Sequence, residues 1–460
     1  MNLVYGIHDK PKFHQLLIFA FQQVLAILAA TIAVPTIIGN GMSQSAALFG
    51  AGMGTLVYQL FTKRKSPVYL GSSFAFLGSM GAAFAGATSA AAGHAGLILG
   101  AALGGLVYVI IALVIKLVGV KWIDKLMPAA VIGPTVAIIG LSLAGNAVGD
   151  LLKGKVLVEN VTDVVEKGAI VQKVEMVSGC SPYVALICGL VTLVSIMLFS
   201  VYGKKMAKLI PFILGILVGY VVSTIFTVIG IATGNVALQI IDFSVFKSMG
   251  ILSVPEFTFL TALKGVKDIN GAYIATIAVA YVPVAFVVFA EHIADHKNLS
   301  TIIDQNLLEE PGLHRTLLGD GVGSAVGAFF GGCPNTTYGE SVGCVAITRN
   351  ASVITITAAA LMCMVISFFD PFVVFLSSIP NCVMGGVCVA LYGFIAVSGL
   401  KMIQKVDLSV SKNLFVVSVI LITGIGNLTL TFGKVTLTAI ACALILGILT
   451  NVILSKGMNE

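Results

Sequence analysis

CPNTTYGESVGCVAITR, residues 333–349, lies between two apolar segments, which puts it at membrane depth. It carries Asn335, Thr336, Thr337, Tyr338 and Glu340, together with three residues poor at helix, Pro334, Gly339 and Gly343. Lipid tolerates such backbone only where protein or a water-filled cavity satisfies it. A carboxylate at the bilayer centre costs roughly 2.5–3.5 kcal/mol on insertion scales, so Glu340 requires a partner and reads as a functional site. A re-entrant loop with a purely structural role is the competing reading.

Working outward, the composition is that of a membrane protein. The 460 residues are 58% hydrophobic and 10% charged, with a mean hydropathy of +1.05, which excludes a soluble globular domain. Apolar runs of about 20 residues, enough to span ~30 Å of hydrocarbon, recur from end to end. Small-residue patterns such as GAALGG (100–105) and GDGVGSAVGAFFGG (319–332) predict helices in close contact. The net charge of +6 is spread over short loops rather than gathered into a patch, so no nucleic-acid partner is expected. The eight cysteines form no CxxC pair and lie mostly in apolar segments, which argues against a zinc site or a disulfide framework. The N-terminus lacks the basic start and small-residue cleavage pattern of a signal peptide, so the first helix is expected to be retained.

The apolar runs predict fourteen helices, near 14–38, 43–61, 67–86, 94–118, 128–149, 182–202, 209–233, 272–293, 315–332, 334–350, 352–379, 383–403, 411–430 and 434–455. With the N-terminus inside, 18 of the 26 Lys and Arg residues fall on the inner side and 8 outside, mostly in two long loops. Both termini are therefore expected in the cytoplasm. The first long loop, 150–181, mixes acids and lysines and reads as an ordinary solvated loop. The second, 234–271, leaves seven helices on either side. Two homologous seven-helix halves would have opposite orientation, the inverted repeat of secondary transporters. The third helix opens with SPVYLGSSFAFLGS (66–79) and the tenth, third in its half, with CPNTTYGESVGC (333–344). Short interrupted segments at corresponding positions point to a midplane binding site.

A second constellation is FVVFAEHIADHKN, 286–298. Glu291 and Asp295 stand at i and i+4 on one helical face, and His292 and His296 repeat that spacing on an adjacent face. HExxH is absent, so the spacing does not argue for metal. On hydropathy alone the cluster also fits the cytoplasmic end of a helix, in water. The functional reading joins the acids: carboxylates accept from the N–H groups of a small planar heterocycle, while backbone amides at a half-helix start donate to its carbonyls.

The stretches PNTTYGESVGCVAITR, GSSFAF (71–76), AEHIADH (290–296) and GGVCVALYGFIAVSG (385–399), with FQQVLAILAATIAVP (21–35), resemble the nucleobase–ascorbate transporter family, most closely its bacterial uracil permeases. The resemblance covers essentially the whole chain. The family signature is an acid, amide or Pro, then Asn, any residue, Gly, four residues, Thr, and a basic residue or Gly. It falls on Glu340, Ser341, Val342, Gly343, Cys344–Ile347, Thr348 and Arg349.

The resemblance implies a core domain from residues 1–120 and 271–380 and a gate domain from 121–270 and 381–460, the core moving against a gate that usually dimerises. It implies that Glu291 and Glu340 hydrogen-bond the pyrimidine, that the backbone at Phe74 and Gly339 contacts its carbonyls, and that Tyr338 lines the core side while Tyr392 closes the pocket from the gate. Asp295, with Glu291, would take part in proton coupling. No cofactor is implied beyond the coupling proton. Three positions depart from the pattern. Ser341 replaces the signature Asn, Asp295 stands where some uracil permeases have His and resembles the purine branch, and Gln23 stands where His is frequent.

The leading expectation is a proton-coupled uracil importer in the cell's plasma or inner membrane, with xanthine or urate as the alternative substrate, since the purine branch usually has Gln where Glu340 stands. An anion transporter of similar architecture would want a cation at the half-helix starts, where this chain has none. A channel is not excluded by broken helices alone. No nucleophile–base pair or metal set suggests an enzyme.

Overall fold

The computed structural model of the chain describes residues 3–119, 121–166, 169–204, 206–432 and 435–456. Each of the fourteen apolar segments carries a helix, and seven of the described helices are long and apolar enough to cross a membrane. In chain order the first half contains α1 (Phe13–Ile38), α2 (Gln44–Phe61), the short strand β1 (Leu70–Ser72), α3 (Leu77–Ala85), α4 (Ala90–Val118) and α5 (Ala129–Ser142). Strands β2 (Leu157–Glu166) and β3 (Ala169–Ser178) come next, then α6 (Pro182–Tyr202) and α7 (Pro211–Thr233). The second half contains α8 (Gly271–Ile303), α9 (Leu313–Gly331), β4 (Asn335–Thr337), α10 (Gly339–Thr348), α11 (Val353–Ile366), α12 (Asn381–Ile403), α13 (Ser411–Ile425) and α14 (Ala439–Lys456).

Local chemistry sets several ends. Ser43, Ser89 and Asn270 cap α2, α4 and α8 by accepting a backbone N–H, while Pro182 and Pro211 open α6 and α7 where no N–H is needed.

The interruptions expected at the starts of the third and tenth helices are present: β1 and a single 3₁₀ turn, Phe74–Phe76, precede α3, and β4 precedes α10. Other segments differ from the sequence expectation. The loop at 150–181 is not merely solvated, because Leu157–Glu166 and Ala169–Ser178 pair as an antiparallel hairpin. Both arms are dense in Val, Ile and Thr, which suit a strand; the intervening Lys167 and Gly168 lie outside the described residues. Residues 352–379 are split, α11 ending at Ile366 and a second helix running from Asp370 to Ser378. Finally, α8 runs ten residues past its expected end, to Ile303: His292 and His296 are buried and paired in protein, and Leu299 and Ile303 carry the buried face onward.

The chain divides into two compact units. One comprises Met1–Leu143, Leu252–Phe369 and Tyr392–Glu460. Its centre is α9, which approaches α2 and α4 through glycine. A Cβ on Gly50 would lie 2.4 Å from the Gly327 carbonyl oxygen, and one on Gly105 would lie 2.6 Å from that of Gly321. No larger residue fits there, so the small-residue runs act as the packing surface expected of them. The N-terminal residues strap the C-terminal end of α10: Val4 N–H donates to Arg349 O at 2.8 Å, Ala351 N–H to Tyr5 O at 2.9 Å and Val353 N–H to Ile7 O at 3.1 Å. The other unit comprises Ala144–Ile251 and Asp370–Leu391. There α6 packs on α7, and the Tyr220 and Ser378 hydroxyls meet at 2.8 Å.

Candidate functional site

Two interrupted segments form the frame. β1 and β4 pair antiparallel, with Leu70 opposite Thr337, Gly71 opposite Thr336 and Ser72 opposite Asn335, and Ser73 N–H extends the pairing to Pro334 O at 2.9 Å. Backbone leaving a helix inside a membrane must satisfy its polar groups elsewhere, and here each segment satisfies the other. The two strands occupy corresponding places in the two halves, and antiparallel pairing is what a two-fold relation between them requires.

Each strand runs into a helix whose start no side chain caps, the 3₁₀ turn at Phe74 ahead of α3 and α10 at Gly339. The first-turn N–H groups are therefore available, and the positive ends of two helices converge. Tyr338 locks the frame. Its hydroxyl donates to Ser72 O at 2.7 Å and its ring lies over Gly71, where a Cβ would come 2.3 Å from the ring.

A cavity opens at these helix starts and leaves about 40 Å³ for the centres of water molecules, several times the ~10–15 Å³ that one water needs. Phe74 and Ala75 line it from the first half, and Thr336, Tyr338, Gly339 and Glu340 from the second. Glu291 reaches it from α8, Ile139 from α5 and Ile395 from α12. Five of the six expected binding residues thus meet at one place. Tyr392 is not in the lining; its ring packs edge-on against Phe74, with centroids 5.7 Å apart at 80°. Asp295 is not in the lining either. It lies one turn along α8 from Glu291, where its carboxylate accepts from the Thr337 hydroxyl at 2.7 Å.

The back of α8 shows why this polar stretch stays helical. His292 and His296 are fully buried. His292 Nδ1 meets the equally buried Asp320 carboxylate at 2.7 Å, and its Nε2 meets Thr316 Oγ1 at 3.0 Å. His296 Nδ1 donates to His292 O at 2.8 Å and its Nε2 meets the Tyr58 hydroxyl at 2.7 Å. Both ring nitrogens of each histidine are thereby occupied. The reading of this stretch as a helix end in water is overturned, because the histidines face α9 and α2, while Glu291 faces the cavity and Asp295 faces Thr337 of β4.

Chemically the cavity offers two carboxylate acceptors, uncapped backbone donors, the hydroxyls of Thr336 and Tyr338 and apolar walls, with no cation in its lining. That set suits a small neutral ring bearing both N–H and C=O groups. Sequence reasoning missed Thr336, Ala75, Ile139 and Ile395, which carry no signal apart from the fold. It also missed that Gln23 and Ser341, two of the departures from the family pattern, touch each other.

Comparison with known proteins gives the family. The family model Xan_ur_permease, described as "Permease family", matches residues 14–433. The chain is 36% identical over 454 residues to the uracil permease of Bacillus caldolyticus, covering 98% of this chain and 94% of that one. It is 34% identical to the uracil permease of Bacillus subtilis (99% and 96% covered) and 32% identical to that of Escherichia coli K12 (96% and 92%). Among solved structures it resembles the transmembrane domain of the cyanobacterial bicarbonate transporter BicA, with a TM-score of 0.63 at 16% identity over 97% of this chain and 100% of that one. It likewise resembles the murine Slc26a9 anion transporter, with a TM-score of 0.63 at 11% identity over 98% and 70%. These two likenesses bear on the fold alone, that of a polytopic helical protein in two inverted halves.

Proposed function

The chain belongs to this permease family, and on that premise we propose that it imports uracil, coupled to protons, by alternating access. The observation that carries the reading is the meeting of Glu291 and Glu340 in one cavity beside two uncapped helix starts. Two carboxylates accept the two ring N–H groups of uracil, and the backbone at Phe74 and Gly339 donates to its carbonyls. Tyr338 forms the core-side wall, and Tyr392, against Phe74, closes the pocket from the gate. The core of residues 1–120 and 271–380 moves past a gate of 121–270 and 381–460, through which the protein dimerises.

Asp295 is the coupling acid, working with Glu291. It is one helical turn from the substrate and hydrogen-bonded to β4, so a change in its protonation acts on the strand that leads into Gly339 and Glu340. The protein resides in the cell's plasma or inner membrane with both termini in the cytoplasm, in keeping with the concentration of Lys and Arg on short inner loops. An anion substrate is disfavoured, because an anion in this cavity would face two carboxylates and no cation. The test is uptake of radiolabelled uracil by a uracil-transport-deficient bacterial strain expressing the chain, at two external pH values, with xanthine, thymine and cytosine as competitors. Uptake enhanced at acid pH and blocked by uracil analogues but not by xanthine supports the reading. Xanthine or urate uptake without uracil uptake overturns it.

A further inference from the structure

We propose that Thr336 is a further substrate-binding residue, whose hydroxyl donates a hydrogen bond to one ring carbonyl and thereby reads oxygen at that position. The inference rests on the nucleobase reading and deepens it.

On β4 the side chains alternate in direction. Asn335 is spent on Gly50 O at 3.1 Å, and Thr337 on the Asp295 carboxylate at 2.7 Å. Thr336, between them, lines the cavity with Glu291 and Glu340. It is 2% exposed, and its Oγ1 is buried without a hydrogen-bond partner among the described residues. Buried hydroxyls are rarely left so, because an unmade hydrogen bond costs stability that a methyl in the same place would not.

Donor bookkeeping points the same way. The ring has two N–H donors and two carbonyl acceptors. In their ionised form the carboxylates serve the former, since an ionised acid donates nothing. Two side-chain hydroxyls line the cavity, those of Tyr338 and Thr336. The Tyr338 proton is given to Ser72 O. Thr336 thus holds the one uncommitted hydroxyl donor in the lining, beside backbone N–H groups that do not distinguish one carbonyl from another.

The alternative is that threonine serves only as a good strand former. Valine serves that purpose equally and has the same shape, so Thr336→Val separates the two roles, and Thr336→Ser restores the hydroxyl without the methyl. The measurement is equilibrium binding of labelled uracil to the purified full chain, with competition by 2-thiouracil and 4-thiouracil, whose sulfur is a poor acceptor. For a lost hydrogen bond, Thr336→Val weakens uracil about tenfold or more, while Thr336→Ser stays within ~3-fold of the parent. One of the two thio analogues, already weak on the parent, is expected to lose less than ~3-fold on Thr336→Val. Parental affinity for uracil in Thr336→Val overturns the proposal, as does an equal loss in Thr336→Ser or an equal loss for uracil and both analogues. Absence of uracil binding by the parent chain is a different failure, of the nucleobase reading itself, and takes this proposal with it.

Discussion

Gln23 Nε2 donates to Ser341 Oγ at 2.5 Å, across 318 residues of sequence, and the backbone N–H of Tyr69 donates to the same oxygen at 3.1 Å. Both side chains are buried, at 2% and 0% exposure. The short serine at the second signature position therefore makes room for the long amide from α1, and α10 is tied through one oxygen to α1 and to the chain entering β1. Ser341→Asn pushes a second amide into space that Gln23 fills and is expected to destabilise the protein by about 1–3 kcal/mol. In a Gln23→Ala background the same change is expected to cost less. Thermal unfolding of the purified single and double variants checks this; strictly additive effects would mean that the two positions do not share the space.

Gly71 is required by the ring of Tyr338, since a Cβ there would lie 2.3 Å from it. Gly71→Ala must displace either the ring or β1, and both frame the cavity. Uracil affinity is expected to fall at least about tenfold while the protein stays folded, whereas Tyr338→Phe, which keeps the ring and loses only the bond to Ser72 O, is expected to lose about 1 kcal/mol of stability. Equilibrium binding and melting of the two variants separate the effects.

Asp295→Asn keeps an acceptor for the Thr337 hydroxyl but cannot change charge. The frame should survive, with uracil affinity within ~3-fold of the parent, while the dependence of uptake on external pH flattens. A parental pH profile in Asp295→Asn would make this acid structural.

The N-terminal strap should stabilise the C-terminal end of α10. Ile7, 5% exposed, enters a cluster with Tyr58, Leu299 and Val345. Ile7→Ala leaves a void there and is expected to cost about 2–5 kcal/mol. Thermal unfolding, with an exposed control such as Val4→Ala, reads the loss.

Much of this site was legible in the sequence because a membrane makes polar residues conspicuous. Glu291 and Glu340 stood out against apolar runs, and the interruptions at 66–79 and 333–344 marked the broken segments before any contact was known. What stayed hidden depended on direction and pairing. Thr336 and Thr337 are adjacent and identical in type, yet one lines the cavity and the other serves Asp295. Only strand alternation with a fixed register tells them apart. His292 looked like the wet end of a helix because its partner, Asp320, lies 28 residues away on α9. The hairpin at 157–178 was obscured by its charges, which hydropathy counts without regard to alternation.

The central claim is that Glu291 and Glu340 hold uracil between them. It is tested most directly by equilibrium binding of labelled uracil to the purified chain and to its Glu291→Gln and Glu340→Gln variants. A glutamine of the same shape exchanges a pure acceptor for a mixed group, so each variant is expected to lose roughly 10- to 100-fold in affinity while keeping the parental melting behaviour. Parental affinity for uracil in Glu340→Gln would contradict the account.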